Sequence, residues 1–268
     1  CIATEACRKA GNGKDFIEQV RAETGLTFKI IGPAEEARLA VIGCHDLFDP
    51  DAERVMVLDI GGGSTEVAFV ESVSNGEGGL GRWIEKPPIA AWRSFKIGVV
   101  TLCEPFSHLP ENEAYLAMRD HALEVFAAWK SASALGEAMG AGQTHIIGTS
   151  GTVTCLAGAH LGLKRYSRDA VDGAWMTRQD GRDIVKAMRD AGPDGRAAFP
   201  TIGPERAGLM LAGCAILDAA WETWPSQRLR VADRGLREGL LLSMMHGPKR
   251  KRRRRRSNGV AQEACDGR

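Results

Sequence analysis

The segment from Asp59 to Glu66, DIGGGSTE, combines residue types that bind phosphate and a divalent cation. Three consecutive glycines expose backbone N–H groups, and a concave row of such groups can hold an anion without obstruction by side chains. The carboxylates at the two ends supply the oxygen ligands that Mg²⁺ prefers. A plain hairpin turn is the alternative interpretation of the glycines alone. We predict phosphate binding by Gly61, Gly62, Gly63, Ser64 and Thr65, and a magnesium site at Asp59 and Glu66.

A second loop of small residues follows a β-prone run and precedes a helical segment. It consists of Gly148, Thr149, Ser150, Gly151 and Thr152. Small residues let the backbone approach an anion, and the N-terminus of a helix favours negative charge. An ordinary capped helix start explains the same pattern, but two such loops in one chain favour phosphate binding at both.

Two neighbouring carboxylates, Glu35 and Glu36, lie near the start of a helix predicted to begin at Pro33. Adjacent residues on a helix point about 100° apart, so at most one of these carboxylates enters a site. A glutamate beside bound phosphate can orient or deprotonate a water molecule for in-line attack. A solvated helical face is the alternative.

The segment Val231–Gly239 carries two glycines, Gly235 and Gly239, that are one helical turn apart. Glycines at i and i+4 permit close packing of a helix on another element. For Arg237, which lies between them, a packing role is at least as well supported as a ligand role.

The elements around these motifs alternate between strands and helices, which is typical of a mixed α/β fold. Arg54–Ile60 and Thr65–Glu71 predict a β-hairpin with the glycines at its tip. Further strands are predicted at 27–31, around Trp83 and Phe95, at 144–147 and at 229–232. Helices are predicted at 3–10, 15–24, 34–47, 111–139, 178–189, 205–220 and 235–245, and from the second loop to about residue 161.

Charge is distributed unevenly along the 268 residues. Residues 249–268 hold nine Lys/Arg and two acidic residues, whereas residues 1–248 hold 26 and 32. The eight consecutive basic residues 249–256 are typical of a disordered segment. They predict either salt-sensitive contact with a polyanion or a solvated terminus. Because no apolar run reaches roughly 18 residues and no secretory signal is visible, we expect a cytoplasmic protein without membrane contact.

Taken together, the motifs resemble the exopolyphosphatase/guanosine pentaphosphate phosphatase (Ppx/GppA) family. Five segments match in order over roughly residues 1–247. They are ATEACR at 3–8, EEAR at 35–38, DIGGGSTE at 59–66, GTSGT at 148–152 and DRGLREG at 233–239.

The resemblance implies an actin-like ATPase superfamily fold, with two ribonuclease H-like domains around a cleft. It implies Mg²⁺-dependent hydrolysis of a terminal phosphoryl group of inorganic polyphosphate. Glu36 falls on the family's proposed catalytic base, and Asp59 and Glu66 on the acids that assist with metal and water. Arg8 falls on an arginine expected to contact the polyanion.

The resemblance also implies a domain division. Residues 1–50 would be the remnant of the first domain, residues 51–247 the second domain, and residues 248–268 a basic disordered tail. The last helix could pack back on the first domain. The chain does not begin with Met and has no counterpart of the family's first phosphate loop, so we expect it to be truncated at its N-terminus.

Three other functions stay open at this point. Hydrolysis of guanosine pentaphosphate or tetraphosphate involves a similar terminal phosphate group. A sugar or acetate kinase of the same superfamily is a further enzyme class, although the EEAR segment argues against it. A non-catalytic polyanion-binding protein is consistent with the missing first loop and the basic tail. A homodimer is an open assembly state.

Overall fold

A six-stranded mixed sheet forms the centre of the chain in the computed structural model, which describes residues 1–71 and 79–246. Its strands, in spatial order, are β5 (Ile89–Phe95), β4 (Thr65–Glu71), β3 (Arg54–Ile60), β6 (Thr144–Thr149), β8 (Arg228–Ala232) and β7 (Trp175–Thr177). Strands β3, β6 and β8 are parallel, whereas β4 and β7 run antiparallel to their inner neighbours. The predicted basic tail and residues 72–78 lie outside the described residues.

Except for the first two in the chain, which contact each other and the N-terminal segment, the helices cover both faces of this sheet. They are α1 (Glu5–Lys9), α2 (Gly13–Thr24), α3 (Pro33–Gly43), α4 (Gly79–Glu85), α5 (Val99–Phe106), α6 (Glu111–Ala127), α7 (Ala132–Gly140), α8 (Ser150–His160), α9 (Arg168–Val171), α10 (Arg178–Asp190), α11 (Gly192–Ala198), α12 (Pro204–Thr223) and α13 (Leu236–His246). Within the two described ranges, no helix is both long enough and apolar enough to cross a membrane.

The apolar run of β3 is explained by burial on both faces of the sheet. Side chains alternate along a strand, so Met56 and Leu58 enter the core under α6, α8 and α12. Val55 and Val57 enter a second, smaller core under α3. Asp59 follows the same alternation and therefore lies on the α3 side.

The parallel strands β3, β6 and β8 end at the same edge of the sheet. Asp59 is the register partner of Thr149, which in turn pairs with Ala232. In α/β sheets, ligands bind beyond the carboxyl ends of parallel strands. The alternation of strands and helices thus brings both predicted phosphate loops to one edge.

Residues 1–32 add a short two-stranded parallel sheet of β1 (Ile2–Ala3) and β2 (Lys29–Ile30). Helix α3 then crosses to the large sheet and packs along α13. A Cβ atom on Gly239 would overlap the carbonyl oxygen of Leu39, and one on Gly43 would overlap that of Gly235. Gly239 therefore permits the close helix packing that the glycine spacing predicted, whereas at the other contact the missing Cβ is that of Gly43.

Three sequence-based assignments are wrong. Trp83 lies on helix α4 and not on a strand, because its buried ring packs under the α3 face against Phe48. The single helix predicted at 111–139 is two helices, α6 and α7, and Trp129 is buried at the turn between them. The helix predicted at 34–47 ends at Gly43 and is followed by a 3₁₀ turn, His45–Leu47.

Candidate active site

Three carboxylates face one another above the α3 side of the sheet. Asp59 is the penultimate residue of β3 and Glu66 is the second residue of β4, and the two are direct cross-strand partners. Cross-strand partners share a face of the sheet, so both side chains point toward α3. Glu36 lies in the first turn of α3 and is 9% exposed. The hairpin and the helix thus bring together residues that are 30 positions apart in the chain.

The neighbouring Glu35 and Glu36 point in different directions. Glu35 accepts hydrogen bonds from Arg38, at 2.8 Å from Nε and 2.9 Å from Nη2, on the outer side of α3. Glu36 turns inward and accepts a hydrogen bond from Arg8 Nη1 at 2.8 Å. Only Glu36 joins Asp59 and Glu66.

Burial and mutual repulsion disfavour the charged forms of the acids on the sheet. Burial raises the pKa of Asp59 to about 6, and the charge of Glu36 adds to the effect. Burial raises the pKa of Glu66 to about 7, partly offset by a hydrogen bond that Ser94 Oγ donates to Oε1 at 2.6 Å. These carboxylates therefore lack sufficient positive charge from the protein, and a cation placed between them would be stabilised.

These carboxylates suit Mg²⁺ better than a metal ion whose ligands all come from the protein. Among the described residues, no group of three His, Cys, Asp or Glu side chains is arranged to hold a metal ion by itself. Mg²⁺ is usually bound by one or two carboxylates while water and substrate phosphate complete its coordination. Asp59 and Glu66 could supply those two carboxylates.

The glycine loop presents its amides away from helix α5. Gly61 N–H donates to Ser64 O at 2.9 Å and closes the turn. Val99 N–H and Val100 N–H, at the start of α5, donate to the carbonyl oxygens of Gly61 and Gly62, each at 2.9 Å. In a trans peptide the following N–H points opposite to the carbonyl, so the amides of Gly62 and Gly63 point away from α5. They are the loop's available donors for an anion.

Sequence reasoning missed the residue that makes this arrangement possible. A Cβ atom on Gly98 would clash with the carbonyl group of Gly62. Glycine at 98 therefore lets α5 begin directly against the loop. Gly98 stands alone between an isoleucine and a valine, and the sequence gives no sign of the contact.

The predicted second loop is a direct junction between a strand and a helix, since Gly148 and Thr149 end β6 and Ser150 begins α8, and it carries the strained backbone of the site. Ser150 has φ of +80° and is the only non-glycine residue with positive φ in the described part of the chain. Its hydroxyl donates to Ile60 O at 2.7 Å, which ties the second loop to the first. Strain of this kind persists where the surrounding structure enforces it, often at ligand sites.

Several residues predicted to bind phosphate have side chains that are buried or already hydrogen-bonded within the protein. Thr65 is fully buried and donates to Ile97 O at 2.7 Å, and Thr149 donates to Arg234 O at 2.6 Å. The Thr152 side chain packs against Gly213 of α12. Ser64 is 4% exposed. The hydroxyls of Thr65 and Thr149 are thus occupied, since backbone carbonyls already accept from them.

A cavity of about 570 Å³ opens at this edge of the sheet. It is lined by Asp59, Ser150, Gly151, Tyr166, Arg206 and Arg237, among others. A smaller cavity of about 190 Å³ adjoins Gly61, Gly62 and Val99 and shares Ser150, Gly151 and Arg206 with the first. The larger volume lies in the range of small-molecule sites.

Arg206 is the cation that both cavities share. It lies in the first turn of α12, is exposed, and donates to Cys155 Sγ at 3.2 Å. A guanidinium beside the second loop suits a phosphate oxygen. The sequence offered only a Pro-Glu-Arg helix start here, which indicates no chemistry by itself.

Arg8 lies beside the acids and not on the wall of either cavity. It donates to Glu5 as well as to Glu36, with Nη2 at 2.7 Å from Glu5 Oε2. Both of its anionic partners belong to the protein. The arginine therefore fixes the orientation of Glu36 in this structure.

Comparison with known proteins is consistent with this geometry. The sequence profile of the Ppx/GppA phosphatase family matches residues 1–247. The chain belongs to this family. Exopolyphosphatase 1 of Mycobacterium leprae is 28% identical over 90% of the chain, a match that spans 66% of that protein. The chain thus covers slightly less than two thirds of this curated relative's length.

Solved structures of Ppx/GppA proteins share the fold. The Aquifex aeolicus family member superposes with a TM-score of 0.72 at 29% identity, covering 91% of this chain and 72% of that one. An exopolyphosphatase from Cytophaga hutchinsonii superposes with a TM-score of 0.77 at 21% identity, covering 92% and 75%. The fold is that of the actin-like ATPase superfamily, as the family resemblance implied.

Proposed function

We propose that this chain releases terminal phosphate from inorganic polyphosphate with the help of Mg²⁺. The observation that carries the proposal is the meeting of Glu36, Asp59 and Glu66 beside a glycine loop with available amides. The name of the Mycobacterium leprae relative supports polyphosphate as the substrate class.

Each group has a distinct role in the proposed reaction. Glu36 orients or deprotonates the attacking water, and Arg8 keeps its carboxylate in place. The amides of Gly62 and Gly63, the second loop and Arg206 hold the phosphate chain. Asp59 and Glu66 bind Mg²⁺, which when bound offsets negative charge on the phosphoryl oxygens. Such catalysis depends on positioning and electrostatics more than on covalent chemistry.

The decisive test uses the two adjacent glutamates as a matched pair. Phosphate release from long-chain polyphosphate with Mg²⁺ is measured for the wild-type chain, Glu36→Gln and Glu35→Gln. Loss of a general base lowers kcat by about 100-fold or more, so Glu36→Gln should do so. Glu35→Gln should stay within about twofold, because Glu35 pairs with Arg38 away from the site. Equal effects of the two variants would reject Glu36 as the base.

The magnesium site has a readout that does not need turnover. Mg²⁺ that binds only the folded protein raises its thermal midpoint. We expect a rise for the wild-type chain that disappears in Asp59→Asn. If no form of the chain released phosphate while polyphosphate still bound, the non-catalytic alternative would replace the proposal.

A second candidate, 5′-phosphate release from guanosine pentaphosphate, is favoured by the size of the cavity. A volume of about 570 Å³ with Tyr166 and Arg206 in its wall exceeds the needs of a single phosphate. Guanosine nucleotides should then compete with polyphosphate for hydrolysis, and adenosine nucleotides should compete less. Absence of competition would leave polyphosphate as the substrate.

A further inference from the structure

Helix α10 carries a row of cations along one face, outside the candidate active site. Arg178, Arg182, Lys186 and Arg189 follow one another at spacings of four, four and three residues. These spacings place the side chains on the same side of a helix, over about 16 Å of its length. Ile184 and Met188, on the other side of the helix, are buried.

This row forms one wall of a groove between α10, α6 and α12, which we call the α10 groove. Its volume is about 300 Å³. It is lined by Tyr115, Arg119, Arg178, Arg182, Val185, Lys186, Arg189, Asp218 and Glu222. The lining thus holds five cations and two carboxylates. Both carboxylates are already paired with Arg119, whose Nε lies 2.8 Å from Asp218 Oδ2.

Most of the cations in the row lack an anionic partner. Within residues 1–71 and 79–246, only Lys186 of the four forms an ion pair, with Asp190. Arg189 lies over the Tyr115 ring, with Cζ 4.3 Å from the ring centroid, and its Nε is buried without a hydrogen-bond partner. Like charges at i and i+4 repel one another and destabilise a helix. A bound polyanion would remove that repulsion.

We propose that the α10 groove binds the distal part of a linear inorganic polyphosphate chain. The inference rests on the proposed function, because it assigns the same substrate a second contact. Helix α12 connects the two places: Arg206 lines the cavities and Asp218 lines the groove, twelve residues or about 18 Å further along.

The lining favours bare phosphate over nucleic acid. Proteins that bind single strands stack bases on accessible aromatic rings. The aromatic residue among those that line the groove is Tyr115, which is 2% exposed and covered by Arg189. The groove therefore offers charge without a stacking surface.

The test measures binding and not turnover, in a Glu36→Gln background that preserves the ligand. One triple variant, Arg178→Gln/Arg182→Gln/Lys186→Gln, removes charge from the groove. Its matched control, Lys14→Gln/Arg21→Gln/Lys130→Gln, removes three exposed charges elsewhere. Fluorescence anisotropy gives the affinity for labelled long-chain polyphosphate, tripolyphosphate and single-stranded DNA. Circular dichroism verifies that both variants are folded.

The groove variant should bind long-chain polyphosphate about tenfold more weakly, and its salt dependence should be shallower by about two in the log–log slope. Tripolyphosphate should bind both variants equally, since it reaches only the cavities. The inference would be overturned if both triple variants lost affinity for long-chain polyphosphate equally, or if the groove variant kept its affinity. It would also be overturned if the Glu36→Gln chain bound single-stranded DNA more tightly than polyphosphate and only the groove variant lost that binding. Failure of tripolyphosphate to bind any form would instead count against the proposed function.

Discussion

Arg8 Nη1 donates to Glu36 Oε2 over 2.8 Å and to the carbonyl oxygen of Ile31 over 2.7 Å. Nη2 of the same guanidinium donates to a second carboxylate, that of Glu5. The protein therefore holds the guanidinium at both of these nitrogens. Its side chain is 15% exposed and that of Glu36 is 11% exposed, so water screens the pair only weakly. The geometry is that of an arginine that positions a carboxylate.

Replacing Arg8 separates this positioning role from direct polyanion binding. Arg8→Met should lower kcat about 100-fold, since a misplaced group costs roughly that much, while KM changes little. If Arg8 bound substrate directly, its replacement would raise KM instead. The variant should also lose about 1–3 kcal/mol of unfolding free energy, because Glu36 loses its ion-pair partner and Glu5 keeps only Lys9. Lys9→Gln, which breaks a more exposed pair with Glu5, serves as the control and should cost about 0.5 kcal/mol or less.

Glu66 gives the metal-free protein a defined pH dependence. Burial raises its pKa to about 7, whereas the unfolded chain ionises near 4.5. The native state therefore binds more protons than the unfolded state between these values, and stability falls as pH rises through that window. Glu66→Gln removes the effect, so its unfolding free energy relative to wild type should increase by about 1–3 kcal/mol from pH 4.5 to pH 7.5. Urea titrations without Mg²⁺ measure this difference.

The exposed Glu113→Gln is the matched control for that titration. Its difference from wild type should be the same at both pH values. A Glu66→Gln difference that stayed flat, or that decreased with pH, would contradict the placement of Glu66 in a buried acidic cluster.

Local pattern in the sequence was sufficient for the hairpin that carries the acids. The apolar run before Asp59, and the glycines after it, define β3, the turn and β4 almost to the residue. It was not sufficient for contacts made between distant segments. Arg8 and Glu36 are 28 positions apart, and Gly98 contacts the glycine loop just before α5, a helix that no periodicity indicated. Trp83 was misassigned because an aromatic residue near glycines favours a strand locally, whereas tertiary packing decides its state.

The strained backbone of Ser150 predicts that a glycine variant at this position is more stable than an alanine variant. Both Ser150→Ala and Ser150→Gly lose the hydrogen bond to Ile60 O, but only glycine adopts a φ of +80° without penalty. Ser150→Gly should therefore be more stable than Ser150→Ala by about 1 kcal/mol in chemical denaturation. Ser107, which has an ordinary φ of −63° and a hydroxyl that also donates to a backbone carbonyl, is the matched control, and there glycine should have no advantage over alanine. Equal unfolding free energies of Ser150→Ala and Ser150→Gly would show that the backbone at position 150 relaxes to an unstrained φ.

The packing of α13 on α3 predicts how the position of Glu36 can be disturbed from a distance. A Cβ atom on Gly239 would overlap the carbonyl oxygen of Leu39, one helical turn beyond Glu36, and backbone cannot move aside as a flexible side chain can. Gly239→Ala should therefore cost about 1–3 kcal/mol in unfolding free energy and lower kcat by shifting α3. Gly208→Ala is the control, because Gly208 lies inside α12 with open space around its Cβ position. Alanine favours a helix, so this control should be neutral or stabilising by up to about 1 kcal/mol. Thermal and urea unfolding of both variants measure the contrast, and equal stability would mean that α13 does not hold α3 at this contact.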